Sequence, residues 1–166
     1  MIKYIANEDH YNEIISRVLE VQKCLWIGTA DIKDLYAGGR PFLGLIAELV
    51  LKGKEIRLLH AKKPGLRFKE DFNHYPVLYT GLERTLCPRV HLKLFIFDLK
   101  VAYIGSANLT GAGLGMKGKD KRNFEAGILT DDQELVSQAV MQFDEIWMGK
   151  HCSSCRRKNY CPSPIM

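Results

Sequence analysis

The chain has 166 residues, 46% of them apolar and 26% charged, which fits one compact domain with its own core and excludes a disordered or fibrous class. A net charge of +5 is compatible with a phosphate-bearing partner without demanding one. No run approaches the roughly 18 apolar residues of a membrane span, and the opening MIKYIANEDHYNEII is charged too early for a secretory leader. A soluble, cytoplasmic protein with no membrane partner is expected.

In chain order, the spacing of Tyr11, Ile14, Ile15, Val18 and Leu19 predicts a helix over 8–22, capped by Asn7. CLWIGTADI (24–32) reads as a buried strand and KDLYAGGR as a glycine-bearing loop. Pro41 suits the first turn of a helix whose face is Phe42, Leu45, Ile46 and Leu49, closed by Gly53. Residues 55–61 predict a strand, 64–72 a short helix and 76–80 a further strand. Two strands over 89–98 and 101–106 are joined by the turn DLK, and 123–130 is the last strand. The final helix follows Asp131 and Glu134 in capping-box positions, with Leu135, Ala139, Val140, Phe143 and Trp147 as its buried stripe. Together these elements give an α/β class, with a mixed β-sheet flanked by helices on both faces.

Residues 91–108, HLKLFIFDLKVAYIGSAN, set polar groups into an apolar frame. His91 and Lys93 are two apart, so on a strand they project from one face. Asp98 marks the strand end, and Gly105 marks a close backbone approach. Ser106 and Asn108 add hydrogen-bonding groups near the His-Lys face. Imidazole, ammonium, hydroxyl and amide together suit a tetrahedral anion: the imidazole attacks or moves protons, and the rest hold charge on oxygen. A lysine in an apolar strand is costly unless it is used.

The pattern H-x-K-x4-D-x6-G-S-x-N, met at His91, Lys93, Asp98, Gly105, Ser106 and Asn108, resembles the signature of the phospholipase D superfamily over roughly residues 5–148. An acidic residue after an asparagine in the following strand is common in that family, and NFE places Asn123 and Glu125 there. The resemblance implies a mechanism without a catalytic metal or other cofactor. One histidine attacks phosphorus, a second protonates the leaving oxygen, and water resolves the phosphohistidine. That chemistry needs two motifs, and His10, His60, His74 and His151 lack the neighbouring pattern. The resemblance therefore implies a homodimer with the site on its two-fold axis, as in similar single-motif members. His91 would be nucleophile in one subunit and general acid in the other. Lys93 and Asn108 would hold phosphate oxygens with help from Ser106, and Glu125 would orient His91 through Nδ1. Asp98 falls within the same catalytic motif, although its position favours tying down the strand end.

Lys117, Lys119, Lys121 and Arg122 crowd the loop before Glu125 and are candidates for contact with flanking phosphates, which favours a nuclease acting on DNA or RNA. A lipid phosphodiesterase would call for an apolar loop or anchor. The alternatives are such a phospholipase-type enzyme and a non-catalytic nucleic-acid-binding module.

Three of the five cysteines stand in the last fifteen residues as C-x2-C-x5-C. Cys152, Cys155 and Cys161, with Cys87 as the first choice of fourth ligand and His151 and Cys24 as alternatives, form a candidate structural zinc site or iron–sulfur cluster. The expected organisation is a catalytic domain over 1–149 and a cysteine-rich tail over 150–166 packed on it.

Overall fold

The computed structural model describes residues 1–33 and 35–162. Its elements in chain order are β1 (Ile2–Ala6), α1 (Asp9–Glu20), β2 (Cys24–Thr29), β3 (Tyr36–Ala37), β4 (Arg40–Pro41), α2 (Phe42–Leu51), β5 (Glu55–His60), α3 (Leu66–His74), α4 (Leu78–Gly81), β6 (Leu82–Leu86), β7 (Leu94–Phe97), β8 (Val101–Gly105), β9 (Ala126–Thr130) and α5 (Gln133–Trp147). A 3-10 turn at Lys158–Tyr160 ends the described tail. Position 34 of the expected loop and positions 163–166 of the expected tail lie outside the described residues.

Seven strands form one sheet in the order β1-β9-β8-β7-β2-β5-β6, and β3 and β4 form a small hairpin apart from it. β2, β5 and β6 run parallel, whereas β7, β8, β9 and β1 alternate direction. Alternate side chains of each strand face opposite sides. Leu25, Ile27, Phe95, Phe97 and Tyr103 join the core under α1 and α2. Trp26, Leu94, Ile96 and Ala102 face the second core with Val136, Ala139 and Phe143 of α5. The mixed sheet with helices on both faces is the α/β architecture expected.

Several boundaries differ for physical reasons. β1 was not expected, because as an edge strand only Ile5 of its five residues is buried and the chain shows no alternation to read. The strand expected over 76–80 is instead a turn leading into α4, with Leu78 N–H bonded to Tyr75 O at 3.0 Å. The true neighbour of β5 is the more polar LERTL of β6, which the core needs only at one end. The helix N-cap near 131 is Asp132, whose carboxylate accepts from Leu135 N–H at 3.0 Å, while Asp131 pairs with the N-terminal ammonium. Asn7 is not a cap either. It sits at φ +49° and exchanges hydrogen bonds with Glu125 across the sheet.

Candidate active site

The pairing registers bring one end of the sheet together. Gly28 of β2 faces Leu94 of β7, Leu94 faces Ile104 of β8, and Gly105 faces Gly127 of β9. The segment 91–93 enters this edge, the segment 106–109 leaves it, and Glu125 precedes it. This is the carboxyl end of the parallel strands β2, β5 and β6, where open α/β sheets receive ligands.

His91 and Lys93 lie just before β7 rather than inside a strand 89–98, because the ladder begins only at Leu94. They still meet on one side. Lys93 Nζ donates to the His91 carbonyl at 2.7 Å and lies 3.1 Å from Nδ1 and 3.4 Å from Nε2 of the His91 ring. Leu92 between them turns the other way over Gly28, where a Cβ would stand 2.1 Å from Leu92 Cδ1. Burial pulls the Lys93 ammonium below its ordinary pKa, and the nearby Glu125 charge opposes that shift. His91 itself is exposed.

Asn108 is held from behind. Its Oδ1 accepts the backbone N–H groups of Ala30 and Asp31, each at 3.2 Å. The side-chain oxygen is thereby committed, and the two N–H donors of Nδ2 are the groups left to face a ligand. Thr29, fully buried at the end of β2, accepts from Leu109 N–H at 3.0 Å and donates to Asp31 O at 2.8 Å, locking the same corner. Sequence reasoning missed Thr29; a threonine ending a buried strand was its one signal.

Glu125 is fixed by three partners. Ser106 Oγ donates to one carboxylate oxygen, Asn123 Nδ2 donates to the other at 3.1 Å, and the Glu125 N–H is held by Asn7 Oδ1 at 3.3 Å. Within the chain, then, the direct partners of the carboxylate are Ser106 and Asn123, while the His91 ring nitrogens stand beside Lys93. Ser106 Oγ also accepts from Ala126 N–H at 3.0 Å, so the hydroxyl links two strand ends.

Gly105 serves a different approach from the one expected of it. A Cβ there would lie 2.3 Å from the Tyr103 hydroxyl and 2.7 Å from Ala126 O, so its missing side chain admits Tyr103. The Tyr103 hydroxyl accepts from Ala107 N–H at 3.1 Å and supports the 106–108 turn from below. Burial pushes the Tyr103 pKa up to about 12.

Asp98 is not at this edge. It stands at the opposite end of β7, where its carboxylate gathers the N–H groups of Gln22 at 3.1 Å, Lys23 at 2.7 Å and Cys24 at 3.0 Å. Burial works to raise its pKa, but the backbone donors of Lys23, Gln22 and Cys24 outweigh that and hold it below the ordinary value. The motif aspartate fixes the start of β2 against the β7–β8 turn.

Of the four basic loop residues, Arg122 is engaged: it pairs with Glu8 at 2.6 Å at the start of α1. Lys117, Lys119 and Lys121 are exposed and have no ion-pair partner among the described residues. The remaining histidines are placed apart in role. His10 Nδ1 meets Asn7 O at 3.0 Å, His60 Nδ1 meets Lys62 O at 2.8 Å, and His151 faces Glu145 at 3.4 Å.

Cys87, Cys152, Cys155 and Cys161 are free thiols that line one small cavity of about 30 Å³. Among the described residues, no three His, Cys, Asp or Glu side chains stand close enough together to hold a metal ion. No helix among them is long and apolar enough to cross a membrane.

A family model described as "Cardiolipin synthase, PLD-like domain" matches residues 15–147. Among curated proteins no sequence match is found. Among solved structures, NucT from Helicobacter pylori superposes with a TM-score of 0.68 at 16% identity, covering 89% of this chain and 97% of its own. Nuc of Salmonella typhimurium, titled a phospholipase D family member, gives 0.67 at 13%, covering 89% and 94%. TrmBL2, titled an archaeal chromatin protein with a novel mode of DNA binding, gives 0.64 at 17%, covering 89% of this chain and 52% of its own. At these identities the likeness is one of fold. The family match, laid over the His91–Asn108 pattern it encloses, makes the chain a member of the phospholipase D superfamily.

Proposed function

We propose that the chain is a nuclease, cleaving DNA or RNA phosphodiesters without a catalytic metal through a phosphohistidine at His91. The observation that carries this is the His91–Lys93 pair at 3.1 Å on the edge where Asn108 presents Nδ2. A ring nitrogen of His91 attacks phosphorus, and the P–O bond to the leaving nucleoside breaks. The leaving oxygen takes a proton from His91 of a second copy. That imidazole then removes a proton from water, whose oxygen attacks phosphorus and breaks the P–N bond, restoring both histidines. Lys93 and the Asn108 amide hold the non-bridging oxygens as negative charge builds on them. Ser106 steadies Glu125, whose oxygens keep acceptor capacity for an imidazole N–H.

A homodimer supplies the second histidine, since His10, His60, His74 and His151 lack the neighbouring motif residues. Phe124, 95% exposed beside Glu125, and Ile104, 36% exposed beside Gly105, are apolar surface that a second copy would cover. The exposed lysines 117, 119 and 121 favour nucleic acid over a lipid surface.

The test of the reaction is cleavage of labelled single- and double-stranded DNA and RNA in excess EDTA. Wild type is expected to cut and His91→Ala to be inert. Binding without cutting by both would replace the enzyme with a binding module, and cleavage of lipid diesters alone would replace the substrate.

A further inference from the structure

The tail beyond the family match reaches the candidate active site. A cavity of about 370 Å³ is lined by Pro88, Arg89, Val90, His91 and Arg157. Arg157 lies ten positions beyond Trp147, where the family match stops, so this wall stands outside the matched residues. The backbone around it is fixed: Arg157 N–H donates to Cys155 Sγ at 3.4 Å, and its carbonyl accepts from Tyr160 N–H at 3.0 Å. The neighbouring cavity, lined by all four cysteines of the cluster, includes Arg89 and Arg157 as well. The cysteine-lined turn thus holds the tail against the 87–90 segment, and that segment runs directly into His91. Both arginines are exposed, with no carboxylate in ion-pair range among the described residues.

We infer that Arg157, with Arg89, forms a phosphate subsite beside His91 that takes the phosphate flanking the scissile one in a nucleic-acid strand. The inference rests on the nuclease reading and names the contact that selects a polyanion over a small diester. The Arg157 guanidinium, with no side-chain partner among the described residues, and that of Arg89, which reaches the Cys155 thiol, line one cavity with His91 and offer fork-shaped donors to an anion. The scissile phosphate has its own cation in Lys93 and its own amide donor in Asn108, so a second positive wall is spare for the neighbouring phosphate. The tail becomes a specificity element positioned by the cysteine turn rather than a decoration.

The experiment measures binding of a fluorescent single-stranded oligonucleotide across a salt series, alongside KM and kcat on the same substrate, for wild type, Arg157→Ala and Arg157→Lys. Thermal denaturation controls for folding. Arg157→Ala is expected to weaken binding about tenfold and to lower the log–log salt slope by about 0.7, with the loss in KM rather than kcat. Arg157→Lys should recover most of the slope. The KM penalty should shrink on bis(4-nitrophenyl) phosphate, which has no flanking phosphate. An Arg157→Ala protein with wild-type slope and KM overturns the subsite while leaving the nuclease reading intact. A wild type that neither binds nor cuts the oligonucleotide overturns the nuclease reading itself. A KM loss seen only on vesicles containing diphosphatidylglycerol would reassign the subsite to a lipid.

Discussion

The side-chain oxygen of Asn108 accepts the backbone N–H of Ala30 at 3.2 Å, and this decides which way its amide faces. Asn108→Asp keeps that acceptor but replaces the Nδ2 donor with negative charge aimed at a phosphate. Activity is expected to fall at least about 10²-fold with little change in stability. Asn108→Ala leaves the Ala30 and Asp31 N–H groups unpaired and should lose both activity and about 1–3 kcal/mol. Comparing kcat with urea midpoints for the two variants separates these roles. Equal stability loss in both would contradict the assigned orientation.

Asp98 carries structure rather than chemistry. Asp98→Ala should cost about 2 kcal/mol through three stranded backbone donors, lowering Tm by about 4–8 °C. Because the folded pKa is depressed, the carboxylate's contribution is present above the unfolded value near 4 and is lost as pH falls through the folded value. The stability gap between wild type and variant should therefore close in acid. Activity per folded molecule should stay within a few-fold of wild type. A 10³-fold loss in a stably folded variant would place Asp98 back in the chemistry.

Tyr103 gives the opposite pH signature. Its folded pKa of about 12 exceeds the ordinary value near 10, so above pH 10 the unfolded chain loses the proton first. Stability should fall by about 1.4 kcal/mol per pH unit, up to about 3 kcal/mol. Tyr103→Phe should remove this slope while losing about 1–2 kcal/mol at neutral pH, because Ala107 N–H loses its partner. Denaturant midpoints at pH 8, 10 and 11 check it, and parallel curves for the two proteins would refute it. Gly105→Ala crowds the same hydroxyl and Ala126 O and should destabilise by about 1–3 kcal/mol.

Much of the fold and the motif was legible because the strong signals are local. Phe42, Leu45, Ile46 and Leu49 repeat at helical spacing, and all four are buried in α2. His91, Lys93, Ser106 and Asn108 stood out as polar groups in apolar surroundings, and the structure gathers them at one sheet edge. What the sequence hid depends on pairing. β1 becomes a strand only because β9 offers it a ladder, with Ile5 opposite Gly127. Asn7 looks like a cap until Glu125 is placed across from it. Gly105 reads as room for a ligand until the Tyr103 ring, two residues earlier in the chain, is seen to fill that room. The tail's approach to His91 could not be read from a linear chain in which Arg157 and His91 stand far apart.

A shared site makes the second copy measurable. If each site needs His91 from both protomers, mixing wild type with an equal amount of His91→Ala after subunit exchange leaves about a quarter of the dimers active. A protomer with its own complete site would keep about half. Phe124→Lys should weaken the dimer and reduce activity in a concentration-dependent way, read by sedimentation alongside rate. Full activity in a monomeric variant would refute the composite site.

The most direct measurement is rapid acid-free quench of the wild type with a labelled oligonucleotide in EDTA, followed by peptide mapping. The account predicts a covalent phosphoryl adduct on the peptide bearing His91, formed and lost at rates compatible with turnover and absent from His91→Ala. Turnover without any adduct, or cleavage that disappears in EDTA, would contradict a phosphohistidine mechanism at this edge of the sheet.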